Sequence, residues 1–100
     1  MVVDDFIGRQ LALIEQAIFD YEGGRLDLNS LVSRIEGASL AMGDDSWSGI
    51  VYPLVGALEE VNALALDEGR GLDSEDQRIV GDALSKLKSA IQDYRSGFSS

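Results

Sequence analysis

Apolar residues recur along this chain at steps of three and four, and the strict alternation of a half-buried strand is nearly absent. In the first segment Ile7, Leu11, Ile14, Ile18 and Tyr21 keep that step, widened by Phe6, Leu13 and Ala17 into one broad stripe. The pattern predicts a helix of about five turns. Asp4 and Asp5 sit where the positive end of its dipole favours acids. Gly23 and Gly24 end it, because glycine accepts the left-handed conformation common at helix C-caps. Asp27 then caps a second helix, with Leu26 before the cap and Leu31 four residues after it at the spacing of a hydrophobic staple. Leu28, Leu31, Val32, Ile35, Ala38 and Met42 supply its buried stripe, and Gly43 closes it.

The third segment contains Pro53, which removes a helical hydrogen bond and crowds the preceding turn. Two outcomes fit. Either a short turn or helix over 46–51 precedes a longer helix from about Pro53, or one helix is kinked there. From Leu54 to Leu66 the only polar side chains are Glu59, Glu60 and Asn62, so this helix is expected to be the most buried, exposing a narrow acidic strip. Asn62, if buried, needs a hydrogen-bond partner. Gly69-Arg70-Gly71 reads as a loop, Asp73 or Ser74 as the next cap, and Val80, Leu84, Leu87, Ile91 and Tyr94 as the last stripe. The tail from Ser96 to Ser100 is expected to fray. Four amphipathic helices joined by short loops predict an all-α fold, an antiparallel up-down four-helix bundle, as one domain over 1–100.

Composition narrows the chemistry. The chain has no Cys and no His, so disulfides, thiol chemistry, the commonest general base and the commonest metal ligand are all unavailable. Glu59 and Glu60 are adjacent, and on a helix they point about 100° apart, too divergent to share one reacting atom. A calcium loop begun at Asp67 would need Gly where Leu72 stands and Glu where Arg78 stands. Gly69-Arg70-Gly71 has no following Gly-Lys-Ser to cradle phosphate. A non-enzymatic protein without a cofactor is the expectation. The N-terminus lacks a basic flank and a cleavage site, and no uninterrupted apolar run reaches the roughly 18 residues of a membrane span, which points to the cytoplasm.

The net charge is −10 with a pI near 4.1, which argues against nucleic acid and anionic membranes as partners. Solubility explains acidity in general but not its distribution. Residues 1–43 carry −4, residues 44–76 carry −8, and residues 77–100 carry +2. The middle stretch holds nine acids against one base, Arg70. On a bundle it is expected to form an acidic band along one side, suited to a basic protein partner. The candidate contacts are Asp44, Asp45, Trp47, Tyr52, Glu59, Glu60, Asp67 and Glu68. Trp47 and Tyr52 admit two readings: rings packed over the end of the core, or anchors inside an acidic rim. An alternative function is a homodimeric structural module, in which the apolar third helix is completed by a second copy.

The stretch "LIEQAIFDYEGGRLDLNSLVSRIEG", Leu13 to Gly37, runs from an amphipathic helix through a glycine turn into a capped Leu-x-x-Leu-Val helix. In this it resembles the opening of small all-helical bacterial immunity proteins of the colicin D immunity type. The resemblance covers about a quarter of the chain and rests on helix spacing and turn chemistry. It implies an acidic protein that binds the basic catalytic domain of a cognate RNA-cleaving toxin and blocks its active site. No family motif transfers residue by residue, so the candidate contacts rest on charge zoning alone.

Overall fold

A computed structural model describes residues 5–99, with side chains as far as Ser96. It is all-helical: α1 (Asp5–Glu22), α2 (Leu28–Met42), α3 (Asp45–Glu68) and α4 (Ser74–Ser99), with no strand among the described residues. Asp4 lies outside the described residues, and Asp5 is the acid in the first turn of α1.

Each boundary has a local cause. Gly24 takes φ 78° after α1, and the turn closes through Arg25 N–H donating to the Asp20 carbonyl at 2.8 Å. The Asp27 carboxylate accepts from Ser30 N–H at 2.7 Å and so caps α2. Leu31 is fully buried and Leu26 packs on the core, which completes the staple. Gly43 then turns left-handed (φ 61°), and Asp44 accepts from Trp47 N–H at 3.1 Å to start α3. Asp73 and Asp76 cap α4 reciprocally: Asp73 accepts from Asp76 N–H at 2.8 Å while its own N–H donates to the Asp76 carboxylate at 3.3 Å. Helix α4 runs on to Ser99, past the point where the tail is expected to fray.

One of the two outcomes open for α3 is set aside, and its expected burial is corrected. It is not split: one helix runs through Pro53. The proline deprives only the Gly49 carbonyl of its helical donor, and both residues are exposed, so water can serve that oxygen. Val51 and Val55, on either side of Pro53, are both buried in the core. Nor is α3 sealed except for an acidic strip. It buries Trp47, Val51, Val55, Leu58, Val61 and Ala65 but exposes Ile50, Tyr52, Leu64 and Leu66. The reason lies in the packing. Helix α3 touches α2 and α4 but not α1, so nothing covers its outer half. By length and composition α3 is long and apolar enough to cross a membrane, although Glu59 and Glu60 interrupt its apolar run. In the fold its inner side packs against protein.

Consecutive helices pack together and α1 also meets α4, around one core drawn from all four. The seams differ in chemistry. Between α1 and α4, Lys88 bonds Glu22 at 2.9 Å and Arg95 bonds Glu15 at 2.7 Å. Between α2 and α3, Asn62 donates to Asn29 at 3.2 Å, which supplies the partner Asn62 was expected to need.

Candidate protein-interaction surface

The candidate residues fall into three groups. The first belongs to the fold. Trp47 is completely buried, its indole N–H donates to Ser39 Oγ at 2.9 Å, and its ring meets Tyr94 edge-on at 5.5 Å. Asp44 caps α3 and also accepts the Tyr94 hydroxyl proton. These four side chains tie α2, α3 and α4 together at one end of the molecule. The reading of Trp47 as a rim anchor is therefore corrected: it has no surface to offer a partner. Asp44 is half-buried and already bonded. The Tyr94 bond, then that of Trp47 N–H, holds its carboxyl below the usual range, while burial and the carboxylate push Tyr94 up to about 12.

The second group is tied down by one cation. Arg70 bonds Glu68 at 2.6 Å and Asp76 at 2.5 Å, and approaches Asp73 at 3.6 Å. Its bond to Asp76 is the main cause of the lowered carboxyl there. So Arg70 engages three acids of this loop at once, although they outnumber it, and Glu68 is a poor candidate for a partner's cation.

The third group stands free. Asp45, Tyr52, Glu59, Glu60 and Asp67 are all exposed on α3. At 100° per residue the four acids lie on the half of the helix turned away from the buried stripe. None of the four is bridged to a Lys or Arg among the described residues. The cations able to cancel the patch are engaged elsewhere: Lys86 with Asp82, Lys88 with Glu22 and Arg95 with Glu15. Arg34 lines the groove against α1, on the other side of α2.

Sequence reasoning missed two contributors on α2. Glu36 meets Glu59 across the seam; partial desolvation, then the hydrogen bond and charge of Glu59, raise its carboxyl above the usual range. Leu40, one turn further along, is 74% exposed. Glu36 lies outside the zone where acids concentrate, and only the approach of α2 to α3 brings it to the patch. The exposed acids form no group of three or more suited to a metal ion among the described residues. The surface offers carboxylates and apolar side chains on a stiff helical support, a combination suited to binding. Compared with known proteins, the chain matches no family model, no curated protein and no solved structure.

Proposed function

We propose that this chain is an acidic, non-enzymatic inhibitor that binds a basic protein in the cytoplasm, most concretely an immunity protein that occludes the active site of a nuclease-type bacterial toxin. The observation that carries this reading is the bare patch. Asp45, Glu59, Glu60 and Asp67 have no bridging cation among the described residues, although Lys86, Lys88 and Arg95 are all in ion pairs elsewhere. A nuclease site is positive because it must hold phosphates, and carboxylates pair with Arg much as phosphates do. The scaffold we read as an antiparallel up-down bundle. That reading is supported by Asn29 at the start of α2 pairing with Asn62 late in α3, by Trp47 at the start of α3 meeting Tyr94 late in α4, and by the ion pairs of α1, where Glu15 meets Arg95 but the later Glu22 meets the earlier Lys88.

The test takes the product of the adjacent upstream gene as the candidate toxin, with nuclease activity as readout. Stoichiometric inhibition is expected, weakening steeply with salt and by more than about tenfold when Glu59, Glu60 and Asp67 are changed to Lys. Undiminished nuclease activity, or binding indifferent to salt, rejects the proposal. A homodimer draws on a separate observation, the exposed Ile50 and Leu64. Leu64 lines the groove towards α4 with Ile79. Sedimentation at micromolar concentration separates the two readings, since a strict monomer removes the second.

A further inference from the structure

We propose that the outer side of the α2/α3 pair docks a basic amphipathic helix of the partner. This rests on the inhibitor reading and names the element of the partner that makes the contact. Asp45, Tyr52, Glu59 and Leu66 follow one another at steps of seven along α3. Seven residues return an ideal helix to within about 20° of the same direction, so the four form one stripe with rungs about 10.5 Å apart. Acid and apolar side chains alternate along it. Tyr52 is 54% exposed and Leu66 is 70% exposed, so neither is covered within this chain. On α2, Glu36 joins the stripe at Glu59, and Leu40 adds a third exposed apolar side chain on the same outer side. Gly56, between Tyr52 and Glu59, has open space where a Cβ would stand and leaves the floor low.

Charge and spacing choose the occupant. A straight partner helix can follow a seven-residue stripe with only the gentle left-handed winding of a coiled coil. Its facing positions must alternate Lys or Arg with apolar residues to match the rungs. A second copy would set Glu36, Glu59 and Asp45 against its own acids or, run antiparallel, against Tyr52 and Leu66, and in neither case against a cation, so their charge would lose water with nothing to offset it. The size also fits. A strip about 32 Å long and two helices wide, roughly 20 Å, offers about 600 Å², close to the ~800 Å² per partner of a standard interface.

The test titrates the intact protein with a synthetic peptide of about three heptads, carrying Lys and Leu alternately at its facing positions. A peptide of equal composition and scrambled order is the control, and backbone amide shifts are the readout. The ordered peptide should bind at least about tenfold tighter than the control, with shifts centred on Leu40, Tyr52, Glu59 and Leu66. The double change Tyr52→Ser with Leu66→Ser should abolish that preference while circular dichroism stays unchanged, because both side chains are exposed. Equal binding of the two peptides, or shifts centred on Ile50 and Leu64, overturns the docking proposal and leaves the inhibitor reading to the nuclease assay. Self-association that Tyr52→Ser removes assigns the surface to a second copy and overturns it too. Inhibition failing while the order preference survives rejects the toxin role alone.

Discussion

Along the α1/α4 seam Lys88 reaches Glu22 and Arg95 reaches Glu15, whereas along the α2/α3 seam Glu36 meets Glu59 and no cation among the described residues bridges either. Both seams belong to one core. Their charges are nonetheless arranged oppositely. A chain shaped only for solubility gains nothing from holding two carboxylates together, since like charges across a seam oppose packing. The difference shows that the acidity of the middle stretch is not one property. Part of it caps helices, part of it is cancelled by Arg70, and part is held out uncompensated.

The largest expected effect asks whether the core, rather than charge, holds both seams. Trp47→Ala empties a fully buried site and removes the donor to Ser39, and should cost about 3–5 kcal/mol in chemical denaturation. A loss below about 1 kcal/mol would mean that the tryptophan does not anchor that end. Next, Tyr94→Phe removes the hydroxyl bonded to Asp44 and should cost about 1 kcal/mol at neutral pH. Because the Asp44 carboxyl is lowered in the fold, its stabilisation is present above the unfolded value and fades as pH falls through the folded one. The variant's loss should therefore shrink in acid.

A charge exchange probes the two seams directly. Lys88→Glu should destabilise and Glu36→Lys should stabilise, each by roughly 0.2–1 kcal/mol, because these pairs face solvent. Both effects should diminish in high salt. Equal signs for the two changes would erase the contrast between the seams. Glu36→Lys is also expected to weaken partner binding, so stability and binding would move in opposite directions. The smallest effect is on pH dependence. The Glu36 carboxyl is raised in the fold, so its contribution is full below the unfolded value and is lost as pH rises through the folded one. Glu36→Gln should remove that slope, a change of at most about 0.5 kcal/mol for so exposed a pair. A slope that survives the substitution places its origin elsewhere.

The local part of this fold is legible in the sequence. Asp27 and Gly43 act where their side chains and backbones predict, because a cap needs only the few residues around it. The stripe of α1 and the staple of Leu26 and Leu31 are likewise local. Pro53 is harder to judge. A lost hydrogen bond is a local cost, but whether it breaks a helix depends on how firmly Val51 and Val55 are held and on where the Gly49 carbonyl points. The outcome at Pro53 matters beyond the backbone. With α3 broken at Pro53, Asp45 and Tyr52 fall out of phase with Glu59 and Leu66, and the seven-residue stripe disappears.

By itself the sequence determined the helices, their caps and the excess of negative charge, because helical period and capping act over a turn or two and charge is a sum over composition. Tertiary packing decided which acids stay bare. It carried Lys88 and Arg95 to α1, turned Trp47 inward and brought Glu36 from outside the acidic stretch to Glu59. Each of those meetings joins residues far apart along the chain. Such pairs form only where burying the apolar stripes sets one helix beside another, and no local pattern encodes which side chains then share a seam.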